Sequence, residues 1–197
     1  MKNVLDDPGG NNEGDTSSCA RAVEWVLSKT GPLKITEIGT GYGTHLHILT
    51  SLASSLICVD AMYDWVPDVK PDEIHAEARI DSKKLESWNM HAELARKTGA
   101  KVELIIGNSF DPIVHENPVF LETELLIIDG CHHPADAVFQ DYLNFRKHMT
   151  TSHYLVWDDV QESDPMTAVQ KCKEMLKNEG RTFFEKRHKN TLIMYVE

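Results

Sequence analysis

The sequence predicts an α/β protein built on one mostly parallel sheet, and three observations carry that prediction. Short apolar runs alternate with helical patterns along the chain. The inner runs Leu56-Ile57-Cys58-Val59 and Leu125-Leu126-Ile127-Ile128 are apolar at every position, as strands buried on both faces must be. The last two runs, 182–186 and 191–196, are joined by the turn-like His188-Lys189-Asn190 and read as an antiparallel hairpin.

Residues 1–15, rich in Gly and Asn, read as a flexible arm, and residues 16–197 as a single domain. Thr16 or Ser17 is placed to cap a helix that runs to Lys29, with Ala22, Val23, Trp25 and Val26 on its apolar face. Gly31-Pro32 ends it. A strand over 33–38 leads into Gly39-Thr40-Gly41-Tyr42-Gly43, and a helix from Thr44 buries Leu46, Ile48, Leu49 and Leu52. The strand 56–59 stops at Asp60. Residues 61–79, with Tyr63, Trp65, Pro67 and Pro71, form an irregular stretch, long for a connection in a compact domain. A capped helix over 81–97 and a strand over 102–106 then run into Gly107-Asn108-Ser109. The strand 125–128 closes on Asp129-Gly130, a helix covers 136–148, and a strand over 154–157 ends at Asp158-Asp159. The helix 165–177 precedes the final hairpin.

Length and charge narrow the function. The 197 residues suit one domain, and 20 Lys and Arg against 31 Asp and Glu leave a formal net charge of −11. Nucleic acid and anionic membrane both need clustered cations, so the acidic balance excludes them as partners of a non-specific kind and points to a small-molecule substrate. No apolar run reaches the ~20 residues of a membrane span. MKNVLDDPGGNNEGD lacks the apolar core of a signal peptide, so a cytoplasmic location is expected. The four cysteines, Cys19, Cys58, Cys131 and Cys172, are scattered without a C-x-x-C pair and are expected to be free thiols.

In parallel sheets the ligand sits beyond the carboxyl ends of the strands. Here five strand ends carry polar signatures: Gly39 to Gly43, Asp60, Asn108-Ser109, Asp129 and Asp158-Asp159. The glycines let the backbone turn sharply and approach a ligand closely. Glu37 stands within the first strand, and a carboxylate at Asp60 suits the two hydroxyls of a ribose. A nicotinamide site would require glycine at position 44, where Thr44 stands.

The resulting E-x-G-x-G-x-G resembles the first motif of the class I S-adenosylmethionine-dependent methyltransferases, and the resemblance spans residues 33–196. It implies a Rossmann-like three-layer fold with a mostly parallel seven-stranded sheet and a C-terminal antiparallel hairpin. It implies cofactor binding by Glu37, Gly39, Gly41, Gly43, Asp60, Asn108, Ser109 and Asp129. In the second half, I128-D129-G130-C131-H132-H133 with V156-W157-D158-D159 resembles the metal-dependent small-molecule O-methyltransferases, the catechol-type enzymes and those that methylate natural-product sugars. That resemblance implies Mg²⁺ held by Asp129, Asp158 and Asp159, lowering the pKa of a substrate hydroxyl. Two departures stand out. Met149-Thr150-Thr151-Ser152 replaces the family's Pro-Gly-Gly turn, and one residue is inserted after Asp129.

The base expected beside the metal is His132, where the catechol-type relatives carry Lys, with His133 as the second candidate. Asp129 belongs to the catalytic set as well as to the cofactor and metal sets. Capping the following helix, or packing against the adenine, is the alternative role of this histidine. His45 and His47, two apart on a helix, make a poor metal pair. Cys131 reads as incidental, Tyr63 and Trp65 as candidate walls of the site, and Trp88 as core. Substrate selection falls to short loops and the first thirty-odd residues, with a second copy in a homodimer as a further contributor. The rival expectations are a metal-independent methyltransferase, a hydroxylase-like relative of the cephalosporin-tailoring type, and a cofactor-binding module without catalysis.

Overall fold

The computed structural model describes residues 18–62, 80–130 and 132–197. Its strands are β1 (Lys34–Ile38), β2 (Ser55–Asp60), β3 (Val102–Ile106), β4 (Thr123–Ile128), β5 (Met149–Trp157), β6 (Phe183–His188) and β7 (Thr191–Val196). Its helices are α1 (Ser18–Thr30), α2 (Leu46–Leu52), α3 (Ser82–Lys97), α4 (Pro112–His115), α5 (Ala135–Phe145) and α6 (Ser163–Asn178). The seven strands form one sheet in the order β3-β2-β1-β4-β5-β7-β6. β1 to β5 run parallel, and β7 pairs antiparallel with both β5 and β6. The expected sheet and its terminal hairpin are therefore present.

The two faces explain why the inner strands are apolar without alternation. Leu125 and Ile127 pack with Cys58, Val156 and the buried sides of α1, α2 and α3. Leu126 and Ile128 turn the other way, onto Val138, Tyr142 and Phe145 of α5 and Val169, Cys172 and Leu176 of α6. Each side chain so buried contributes roughly 1.5–3 kcal/mol. The result is three layers with a helical cover on each face of the sheet.

Register sets where function can sit. Ile38 is level with Val59 on one side and Ile128 on the other, and Ile128 is level with Trp157. The ladder then runs one step further: Gly39 N–H donates to Val59 O, Asp129 N–H to Ile38 O and Asp158 N–H to Ile128 O. Strands that end flush deliver their next residues to a single edge.

Several boundaries differ from expectation. β5 starts at Met149 rather than near 154, because its first half is polar and partly exposed and gives no apolar signal. The register shift between Thr123 and Leu125 falls there, where the family's turn is absent. α2 begins at Leu46 rather than Thr44. The helix expected over 136–148 stops as an α-helix at Phe145 and continues as a 3₁₀ turn over Arg146–His148. α4 and the 3₁₀ turn Pro118–Phe120 are too short to show a helical period, though Asp111 and Asn117 cap them as such residues do. Asp81 caps α3 as expected. The arm over 1–15, the caps Thr16 and Ser17, Tyr63, Trp65 and Cys131 lie outside the described residues.

Candidate active site at the carboxyl edge of the sheet

The glycine loop after β1 is fixed from both sides. Gly39 has φ +88°, and a Cβ there would stand 2.1 Å from the Asp129 carbonyl oxygen, so only glycine lets β1 pass β4 this closely. Gly43 has φ +74° and lies against Trp88, whose side chain a Cβ would meet at 2.9 Å. Trp88 is buried, as expected of core, and its Nε1–H also donates to Thr40 Oγ1 at 3.2 Å. α3 thereby holds the loop in place.

Asp60, at the end of β2, is buried and already engaged. Its Oδ2 accepts from Gly41 N–H at 2.8 Å. Its Oδ1 accepts from Met62 N–H at 2.6 Å and from Lys84 Nζ at 3.0 Å. A carboxylate has about four acceptor positions, so roughly one is left for a ligand.

Glu37 presents the opposite situation. It is 1% exposed, its Oε2 accepts from the Cys58 thiol at 3.4 Å, and its Oε1 has no hydrogen-bond partner among the described residues. His45 Nδ1 lies 3.9 Å from that oxygen. The interaction with Glu37 raises the His45 pKa above its ordinary value, against the lowering effect of burial. His47, by contrast, bonds to the Thr44 carbonyl, so the two histidines do serve different surroundings.

At the third strand end Asn108 Oδ1 accepts from Phe110 N–H, and Ser109 Oγ donates to Asp141 of α5 at 2.5 Å. Both residues reach the edge, but their polar atoms hold the loop together.

The acids after β4 and β5 divide between two groups that share Asp129. Donor atoms of Asp129, His132 and Asp159 lie within 4.8 Å of one another, and so do those of Cys19, Asp129 and Asp158. Asp158 Oδ1 accepts from Thr191 Oγ1 at 2.7 Å and from Ser18 Oγ at 3.5 Å, which turns it towards α1. Asp159 has φ +48° and points the other way, to His132 Nδ1 at 3.2 Å, while its Oδ1 accepts from Gln161. His132 Nε2 is 3.9 Å from Asp129, and Glu162 lies 3.7 Å from Nδ1. Burial, followed by the charges of Asp158, Glu37, Asp159 and Asp60, pushes the Asp129 pKa well above the usual carboxylate range. His133 is exposed and pairs with Asp164 at 2.6 Å. Pro134 stands at the N-cap of α5 without a side-chain cap bond, and His132 points to the acids, away from a capping role.

Of the residues expected from the sequence, the structure brings Glu37, the glycines, Asp60, Asn108, Ser109, Asp129, His132, Asp158 and Asp159 to one edge. His133 is directed outward to the α6 start. Sequence reasoning missed Cys19, His45, Lys84, Glu162 and the Ser18–Thr191 pair. No local spacing announces them, since Ser18 and Thr191 meet across the sheet with a hydroxyl separation of 2.7 Å. Cys19, Cys58 and Cys172 are free thiols, as expected. No helix among the described residues is long and apolar enough to cross a membrane.

No family model matches the sequence, and no curated protein matches it. Solved structures do. The O-methyltransferase TomG from Streptomyces achromogenes, solved in complex with SAM, superposes with a TM-score of 0.64 at 13% identity, covering 94% of this chain and 82% of that one. An O-methyltransferase from Bacillus cereus, in complex with SAH, gives 0.60 at 18% identity over 94% and 83% of the two chains. A methyltransferase from Geobacter sulfurreducens gives 0.59 at 11% identity over 92% and 79%. The likeness is one of fold: the chain has the class I methyltransferase fold.

Proposed function

We propose that the protein is a cytoplasmic S-adenosylmethionine-dependent methyltransferase that acts on a hydroxyl group of a small molecule. Glu37 carries the reading. A fully buried carboxylate with one oxygen left without a donor is costly unless a ligand supplies the donor. Beside a glycine loop at the carboxyl edge of this fold, the amino group of the cofactor's methionyl part is a fitting one. The SAM and SAH complexes of the structural neighbours support the same ligand.

The chain's own groups then divide the work. Gly39, Gly41 and Gly43 shape the loop, and Asp60 offers its remaining acceptor position to the ribose. His132 takes the proton from the substrate hydroxyl, and Asp159 holds the imidazole at 3.2 Å in the orientation that task needs. When bound, the sulfonium supplies the methyl group to the hydroxyl oxygen by in-line displacement. The two acids that converge here, Asp129 and Asp159, would hold Mg²⁺, with Asp158 joining them only by turning away from Thr191 and Ser18; the ion would lower the pKa of a hydroxyl it binds.

One observation favours a second reading, without the metal. Asp158 is turned towards Thr191 and Ser18, away from Asp159, and His132 stands between Asp129 and Asp159. The base pair His132–Asp159 is then sufficient by itself. Calorimetry with S-adenosylhomocysteine tests the cofactor: wild type binds, and Glu37→Gln binds about tenfold more weakly or worse, one lost charged contact being worth ~1.5–3 kcal/mol. Equal binding by the two would sink the role given to Glu37, and no binding by wild type would sink the function. Thermal stabilisation of the loaded protein by Mg²⁺, absent in Asp129→Asn, marks the metal reading. Indifference to Mg²⁺ and to chelator marks the other.

A further inference from the structure

We propose that Cys19, Asp129 and Asp158 form a binding site for a thiophilic divalent cation, of which Zn²⁺ is the type. The site shares Asp129 with the proposed catalytic group, but it does not rest on the methyl-transfer reading.

Three observations converge on it. The thiol of Cys19 and one oxygen each of Asp129 and Asp158 lie within 4.8 Å of one another. Cys19 is 1% exposed, and its sulfur is in no disulfide. It is therefore a buried donor atom within reach of two carboxylates. Asp158 is in turn fixed towards Cys19 by hydroxyls of Ser18 and Thr191, residues from the first helix and the last strand.

The chemistry of the donors selects the ion. A tetrahedral zinc centre with bonds of about 2.0–2.3 Å places its ligand atoms roughly 3.5 Å apart, so side-chain torsions suffice to close the group. One thiolate and two carboxylates leave a fourth position open. Sulfur disfavours Mg²⁺ and Ca²⁺, which take oxygen, and favours Zn²⁺, Co²⁺ and Cd²⁺. Without a cation the thiol stays protonated, because burial and the charges of Asp129 and Asp158 push its pKa well up. Binding replaces the S–H bond by a sulfur–metal bond and releases the proton to solvent, with no change of oxidation state. The second group, Asp129, His132 and Asp159, offers nitrogen and oxygen only. The same acid thus faces two sites of different chemical taste.

Co²⁺ is the probe, because a cobalt–thiolate bond gives a charge-transfer band in the near ultraviolet. Titration of the full chain with Co²⁺ is expected to develop this band, and Zn²⁺ to abolish it by displacement while a large excess of Mg²⁺ leaves it. Cys19→Ser is expected to lose the band. Asp158→Asn, which keeps its size and its Thr191 bond, is expected to weaken Zn²⁺ binding by about 100-fold in chelator competition, at least the effect of losing an outer-shell partner. His132→Ala is expected to keep the band. A wild type without the band, or a band that persists in Cys19→Ser and so comes from another cysteine, would overturn the site. Loss of the band in His132→Ala would overturn its separation from the second group. Failure of the methyltransferase reading shows instead in S-adenosylhomocysteine calorimetry, which this titration does not involve.

Discussion

The carbonyl oxygen of Asp129 lies 2.1 Å from the point where a Cβ on Gly39 would stand. The end of β4 and the turn after β1 are thus packed backbone on backbone, and the acid of the site is positioned by a glycine ninety residues away in the chain. Gly39→Ala must move one of the two strands and also strain a residue at positive φ. It is expected to cost on the order of 2–4 kcal/mol. A thermal melt checks this, at about 2–4 °C per kcal/mol for a chain of this size. A wild-type Tm would show that the edge yields more easily than its packing suggests.

Asp129 is expected to trade stability for function. Its raised pKa means that the folded protein holds a proton there which the unfolded chain gives up, so charging it opposes folding. The penalty is absent below the unfolded carboxylate value near 4 and grows as pH rises through the folded one. Asp129→Asn removes the charge and should melt above wild type at pH 7, and it should lose methyl transfer if the reaction uses the metal. A lower melting temperature for this variant would mean that the surrounding acids do not repel it in the folded state.

Trp88 tests whether the glycine loop is held from below. Trp88→Ala removes a buried indole and is expected to cost about 3–5 kcal/mol. Trp88→Phe keeps most of the packing but loses the Nε1–H bond to Thr40, worth about 1 kcal/mol. Its signature should be weaker S-adenosylhomocysteine binding out of proportion to its stability loss. Binding unchanged in Trp88→Phe would reduce the indole to a filler.

His45 gives a pH dependence with a definite sign. Its folded pKa is raised, chiefly by Glu37 and further by Asp158, with burial opposing. The stabilisation is complete below the unfolded value of about 6.5 and is lost as pH rises through the folded value. Urea midpoints of wild type and His45→Gln should differ most at pH 6 and converge by pH 9. His148 runs the other way: burial lowers its pKa, so its contribution holds above about 6.5 and fades as pH falls towards the lowered value. A gap between wild type and His45→Gln that widens with pH would refute the assignment.

How much of this was legible beforehand follows the range of each interaction. Continuous apolar runs such as Leu125 to Ile128 announce a doubly covered strand, because burial on both faces is a property of the run itself. The glycines and the acids at the strand ends are legible for the same reason, since topology fixes which end faces the ligand. Asp158 is different. Its place after β5 is plain from the sequence, but its orientation depends on Thr191 and Ser18, which reach it through the antiparallel hairpin and the first helix. Trp88 reads as core from its helix face, whereas its bond to Thr40 spans two elements and has no local signature. Helices of three or four residues, such as α4, carry too little period to be seen at all.

Asp60 has a consequence for how any diol would be received. Gly41, Met62 and Lys84 already occupy it, so a ribose that offers two hydroxyl donors meets roughly one open acceptor position. Were a ribose to bind here, its second contact would come by exchange, the ammonium of Lys84 giving way to the hydroxyl. The lysine would then be an internal rival of such a ligand, at 3.0 Å from the same carboxylate. Lys84→Met would then bind an adenosine-bearing ligand more tightly than the natural chain does, a gain of affinity from the removal of a charge.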